Sequence, residues 1–216
     1  MARGAFITIE GGEGAGKSTQ ARRLVAWLER QGLRAVATRE PGGTPTGEQI
    51  RDLVMHRGPE AWHPLTETLL FFAARREHLD RVILPALAAG RWVVCDRFAD
   101  STMAYQGYGA DLGPEPISAL YDLVVGAIKP DLTLILDLPL AVARKRLKRR
   151  AGASDRFERR QRAFHQRVRA GFLAIAARER KRCTVIDAAQ PADAVAVAVE
   201  RAVQRKFGRR LAGKRA

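Results

Sequence analysis

The feature that most restricts this chain is the octet Gly11-Gly12-Glu13-Gly14-Ala15-Gly16-Lys17-Ser18, followed by Thr19, which fits G-x-x-x-x-G-K-[ST]. It stands between a β-branched apolar run, Ala5–Ile9, and a helical stretch opening near Lys17. Such a motif needs a strand to deliver it and a helix to receive it. Its glycines let successive backbone N–H groups turn inward around an anion, and the helix N-terminus adds its positive end. Lys17 is placed to reach the β- and γ-phosphates of a nucleotide, and the Ser18 hydroxyl to ligate Mg²⁺. Residues Gly11 through Thr19 are therefore expected to cradle a nucleoside triphosphate.

The rest of the chain supplies a sheet to carry that loop. Apolar runs at Ala5–Ile9, Ala35–Thr38, Trp92–Cys95, Leu132–Leu136 and Thr184–Ile186 alternate with helical stretches at roughly 16–31, 65–88, 114–126, 139–150, 155–181 and 191–207. Near-continuous apolar strands between helices point to a parallel α/β sheet covered on both faces. The breaks at Pro41–Gly47, Gly107–Pro116 and Ala151–Ser154 read as functional loops on one core. At 216 residues the whole chain, 1–216, is expected to be one domain. Cys95 and Cys183 are too few for a disulfide framework, and are expected to be reduced and packed as small apolar groups. No apolar stretch approaches the ~20 residues of a membrane span. The glycine loop follows the first strand so closely that no secretory leader is expected, which suggests a cytoplasmic protein.

A net charge of +15 invites a nucleic-acid reading. Its distribution weakens that reading. Between Arg144 and Arg162 there are ten basic residues against two acids, and from Arg201 to the end seven against none. These two segments hold the entire excess, so the functional charge is local.

A phosphate loop alone does not name a reaction. The second signal is Val94-Cys95-Asp96-Arg97-Phe98, which puts a carboxylate and a guanidinium at the carboxyl end of a buried strand, where open α/β sheets bind ligands. Asp96 can hold Mg²⁺ directly or through water, and Arg97 can fork onto a second anion. Asp137 ends another strand and is a rival carboxylate, although the following Leu-Pro-Leu favours a structural role.

Read onward to Gln106, this second segment resembles the signature of the thymidylate kinases, the dTMP kinases of the nucleoside-monophosphate kinase group. The phosphate loop, Arg39-Glu-Pro-Gly-Gly-Thr44 and Leu70-Phe-Phe-Ala-Ala-Arg75 fit in order, as do Asp155-Arg-Phe-Glu158 and Asp187-Ala-Ala-Gln-Pro191. The resemblance implies a five-stranded parallel sheet of order 2-3-1-4-5 with a short lid. It implies ATP-dependent, Mg²⁺-assisted phosphorylation of dTMP to dTDP in dTTP biosynthesis. Family habit also implies a homodimer.

The resemblance assigns residues as well. Glu13 matches an acid that receives the sugar 3′-hydroxyl. Phe71 and Phe72 fall where the thymine ring stacks, although neighbours on a helix cannot share one face. Arg75 matches an arginine that donates to a thymine oxygen, and Arg51 one that grips the acceptor phosphate with Arg97. Ser101, Thr102, Tyr105 and Gln106 are placed around base and sugar, where Thr102 or Gln106 can meet the thymine edge and Tyr105 can crowd the sugar C2′. Pro41 and Tyr108 are expected either to line the pocket or to serve packing and turns.

Some thymidylate kinases carry an arginine inside the phosphate loop; here those positions are Gly12, Glu13, Gly14 and Ala15. A catalytic arginine is then expected from the lid, about 148–158, with Arg149, Arg150 and Arg156 as candidates alongside Lys17 and Arg97. The basic tail, about 201–216, is expected to be a solvated helix end and a frayed terminus. Two other readings stay open here: a kinase for another nucleotide or deoxynucleoside, and a nucleic-acid-stimulated ATPase.

Overall fold

Five parallel strands, β1 (Phe6–Glu10), β2 (Ala35–Arg39), β3 (Trp92–Asp96), β4 (Leu132–Asp137) and β5 (Cys183–Asp187), build the sheet in the order β2-β3-β1-β4-β5. The computed structural model describes residues 3–55, 62–149, 157 and 160–212. Each strand lies within one residue of its expected bounds at either end. The inner strands β1 and β3 are buried at every position, whereas the edge strands β2 and β5 are only partly covered.

Successive strand residues point to opposite faces, and each face has its own core. Ile7, Ile9, Val94 and Leu134 pack with Leu24 and Leu28 of α1 (Lys17–Arg30) and with Val199 and Val203 of α9 (Ala192–Ala212). On the other side Phe6, Val93 and Cys95 pack with Phe72, Ile83, Phe98 and Ile117. Thr8 and Thr133 are cross-strand partners whose hydroxyls lie 2.8 Å apart at the centre of the sheet. Among the described residues no helix is long and apolar enough to cross a membrane.

The second crossover departs from expectation in an informative way. The stretch expected as one helix runs as α3 (Pro64–His78), a π-helical turn (Leu79–Ile83) and α4 (Leu84–Ala88). The wider turn falls just before Pro85, which has no N–H to donate to the preceding turn. Helix α2 (Pro45–Met55) was not expected at all. Its start is nonetheless legible, since the Thr44 hydroxyl accepts from Gly47 N–H at 2.9 Å and Pro45 takes the first helical position.

Two more helical segments begin where no helix was expected. Short α5 (Ala99–Thr102) leads into a π-helical stretch, Met103–Gly109, ahead of α6 (Pro114–Val124). Gly107 and Gly109 are poor helix formers, and packing against α8 (Arg162–Arg178) holds the segment instead. A Cβ on Gly109 would lie 2.7 Å from Val168 Cγ2, and one on Gly171 would lie 2.8 Å from the Tyr108 ring. Tyr108 therefore serves helix packing rather than the pocket wall. Helix α7 spans Leu140–Arg149. Helix α9 continues beyond its expected end through a kink at Phe207, whose ring stands 4.9 Å from that of Trp92. Much of the basic tail is thus a packed amphipathic helix.

Candidate active site

The carboxyl ends of β1 and β3 bring the two sequence signals together. Gly11 leaves β1 with φ 138°, and a Cβ there would lie 2.5 Å from the Leu136 carbonyl oxygen, so only glycine can make this approach. Gly16 enters α1 at φ 86°, which sends Lys17, 8 % exposed, back over the loop, where its Nζ donates to Gly12 O at 2.9 Å. Ser18 and Thr19 are exposed on the first turn of α1. The Ser18 hydroxyl donates to Asp96 Oδ2 across the gap between the two strand ends. A hydroxyl beside a carboxylate, next to a phosphate loop, is the hard-oxygen set that suits Mg²⁺, an ion that keeps most of its coordination for water and substrate oxygens.

Arg97 organises the other half of the site. Its backbone adopts φ 71°, an uncommon conformation for a residue with a Cβ. The conformation is held from several directions: Arg97 N–H donates to Ile9 O, and the guanidinium donates to Gly11 O, Ser101 Oγ, Tyr105 Oη and Glu13 Oε1. The Glu13 contact is 2.6 Å, and Tyr105 Oη donates to the same oxygen at 2.7 Å. Burial pushes the Glu13 carboxyl up, but Arg97, Lys17 and the Tyr105 hydroxyl outweigh it and hold the group down at about 2. The Lys17 ammonium is lowered from its usual value by burial and by Arg97.

A cavity of about 220 Å³ opens beside this cluster. Glu13, Lys17, Ser18, Asp96 and Arg97 line its polar end. Pro41, Arg51, Phe71, Arg75, Ser101, Thr102, Tyr105 and Gln106 form the remainder, with Arg39, Glu40, Met55, Phe98 and Phe157. Arg51 Nη1 donates to Pro41 O at 3.2 Å. Phe71 and Phe157 stand 6.3 Å apart across the apolar wall.

One expected contact is corrected. Phe72 is 1 % exposed within the sheet core and does not line the cavity; the Arg75 guanidinium covers its ring at 4.7 Å. Adjacent helical residues face different directions, and only Phe71 faces the ligand space. Arg149 is exposed at the end of α7 and lines neither of the two cavities described here. Arg150 and Arg156 lie outside the described residues. Asp137 has both oxygens engaged by Arg169, at 2.7 and 2.8 Å, which gives it a structural partner.

Buried acids that sequence reasoning passed over complete the site. Glu10, the last residue of β1, accepts from Phe98 N–H at 2.7 Å and from Ser101 Oγ at 2.5 Å, tying the phosphate-loop strand to the start of α5. Burial, with Asp100 nearby, raises its carboxyl to about 8 despite those hydrogen bonds. Glu40 accepts from Arg75 Nε at 2.8 Å and lies 3.0 Å from His78 Nδ1. Glu67 accepts from Gln106 Nε2 at 2.6 Å. Arg75 Nη2 donates to Thr102 Oγ1 at 3.0 Å, while Arg75 Nη1 and Gln106 Oε1 are buried with no protein partner. The clue in the sequence was a charged residue ending an otherwise apolar strand or interrupting an apolar helix.

A second cavity of about 330 Å³ shares Gly11, Gly12 and Glu13 and is walled by the end of β4, α7 and α8. Its floor is apolar and its rim carries Arg144, Arg160, Arg162 and His165, which is where the basic cluster meets the phosphate loop.

Comparison with known proteins identifies the family. A family model described as thymidylate kinase matches residues 9–199. A thymidylate kinase of Alkalilimnicola ehrlichii is 52 % identical over 213 residues, covering 99 % of this chain and 98 % of its own. One from Caulobacter vibrioides is 53 % identical over 208 residues, covering 96 % and 100 %. One from Pseudomonas putida is 51 % identical over 195 residues, covering 90 % and 94 %. Matched by the family model over most of its length and about half identical to these relatives over nearly the whole chain, this chain belongs to the thymidylate kinase family.

Proposed function

We propose that this chain transfers the γ-phosphoryl group of ATP to dTMP, giving ADP and dTDP, with the residues of the two strand ends in the roles that follow. One observation carries the assignment of the acceptor: a single cavity has Lys17 and Arg97 at one end, and a buried donor and a buried acceptor without protein partners, on Arg75 and Gln106, in its remaining wall. A thymine ring against Phe71 would present a carbonyl to Arg75 Nη1 and its N3–H to Gln106 Oε1.

The attacking group is already an anionic phosphate oxygen, so the protein needs no general base. Its task is to hold two anions in line and neutralise their charge. Lys17 and the backbone from Gly11 to Thr19 hold the donor phosphates, while Arg97 and Arg51 hold the acceptor phosphate. Glu13 keeps Arg97 oriented and offers an acceptor for a sugar hydroxyl; Tyr105, on the same carboxylate, narrows the space beside the sugar. Ser18 and Asp96 would hold Mg²⁺, which when bound offsets negative charge on the donor phosphates. Arg149, Arg150 and Arg156 are the candidates for a cation that closes over the transferred group.

Exposed leucines on neighbouring helices, Leu53 of α2, Leu65 and Leu69 of α3 and Leu123 of α6, support a homodimer built on that face. Soluble nucleotide substrates suit a cytoplasmic location, and the local character of the positive charge argues against a nucleic-acid partner. A crystal grown with dTMP and a non-hydrolysable ATP analogue tests the acceptor assignment. Thymine is expected between Phe71, Arg75 and Gln106; finding this cavity closed or the nucleotide elsewhere would overturn it.

A further inference from the structure

We propose that Glu67 is a specificity-positioning residue: by holding Nε2 of Gln106 it fixes which end of that amide a bound base meets, and so makes the site reject cytosine. The inference rests on the reading that the cavity takes the base of dTMP. Glu67 is 3 % exposed and Gln106 1 %. Glu67 is not among the cavity-lining residues, whereas Gln106 is, so Glu67 acts through its neighbour.

A primary amide can be turned end for end with almost no change of shape, and packing alone does not choose between its oxygen and its nitrogen. A carboxylate does choose, because it can only accept. Facing Glu67 at 2.6 Å, Gln106 must present its –NH₂ there, which leaves Oε1 as the group it can offer to a ligand. Arg75 is arranged in parallel. Glu40 takes its Nε, Thr102 takes its Nη2, and Nη1 is left over. The two buried acids thus leave one donor and one acceptor for the base.

Thymine and uracil match that pair, with a carbonyl at ring position 4 and an N–H at position 3. Cytosine carries an amino group and an unprotonated ring nitrogen at the same positions, so it sets donor against donor and acceptor against acceptor. Sites built on such hydrogen bonds reject a mismatched ligand strongly because its buried groups are left unpaired. Turning the Gln106 amide would remove one of the two conflicts, and Glu67 prevents that turn.

The test is kcat/KM for dTMP and for dCMP at saturating ATP, in the wild type, in Glu67→Gln, and in the exchanged pair Glu67→Gln/Gln106→Glu. An amide at position 67 accepts either orientation of Gln106, so the dTMP:dCMP ratio is expected to fall about tenfold to a hundredfold in the single variant. The exchange puts a carboxylate on the cavity side, which again can only accept, and is expected to restore at least tenfold of the ratio. Parallel losses with both acceptors, at an unchanged ratio, would make Glu67 merely structural and overturn the inference. Should the single variant not fold, the exchanged pair decides: a ratio within about tenfold of wild type supports the inference and a collapsed ratio overturns it. A wild type that fails to phosphorylate dTMP, or accepts dCMP equally, would overturn the acceptor assignment itself and this inference with it.

Discussion

Replacing Arg97 by alanine separates what the residue does for the fold from what it does for the reaction. Its guanidinium is the partner of Glu13, and both side chains are 16 % exposed. Removing one member of a buried pair costs about 3–5 kcal/mol, since the remaining charge is left without its partner. Here Glu13 keeps the Tyr105 hydroxyl at 2.7 Å and is not fully desolvated, so the lower end, about 3 kcal/mol, is expected. In a chain of this size that is a fall of about 6–12 °C in melting temperature. Adding Glu13→Gln removes the stranded charge, and the double variant should recover most of the loss. Turnover with dTMP should not recover. Losing a preorganised cation at the acceptor phosphate is expected to cost about 10²–10³ in both variants. Calorimetric melting and a coupled ADP-release assay read the two effects independently. Near-normal turnover of Arg97→Ala with dTMP would refute the acceptor role, and a double variant no more stable than the single would refute the electrostatic account of Glu13.

Three further outcomes are expected. Combining Arg149→Ala, Arg150→Ala and Arg156→Ala should lower kcat far more than ATP affinity; equal kcat would move the lid charge elsewhere. Glu10 has its carboxyl raised from 4.5 to about 8 by burial and by Asp100, so its stabilising contribution is fully present below pH 4.5 and is lost as pH rises through 8. Thermal unfolding across that window should show the wild type losing a few kcal/mol relative to Glu10→Gln, whereas parallel profiles would contradict the burial cost assigned to Glu10. If the leucine face of α2, α3 and α6 joins two copies, Leu69→Glu should shift sedimentation from dimer to monomer, and an unchanged profile would remove that face from the interface.

How much was legible follows from the range of each interaction. Strands such as Trp92–Asp96 announce themselves because both faces are buried, and a continuous apolar run has few alternatives. The phosphate loop is legible because glycine at position 11 is demanded by local backbone geometry. The segment 103–109 was not, since its glycines argue against a helix and only contact with Val168, Phe164 and Gly171 sustains one. Phe71 and Phe72 are alike in sequence and differ only in which side of α3 meets the sheet. The roles of Glu10, Glu40 and Glu67 depend on hydrogen bonds to residues 35 to 91 positions away, well beyond any local pattern. Arg75 could be placed by resemblance, but not the fact that Glu40 and Thr102 leave it one free donor.

The most direct measurement is ADP formation by the purified chain with Mg²⁺ and ATP, adding dTMP, dUMP, GMP, thymidine or DNA in separate reactions. Turnover is expected to depend on a pyrimidine nucleoside monophosphate, to be greatest with dTMP, and to yield one dTDP per ADP. ATP consumption that ignores dTMP but rises with DNA or with thymidine would contradict the claim that this cavity aligns two phosphorylated nucleotides.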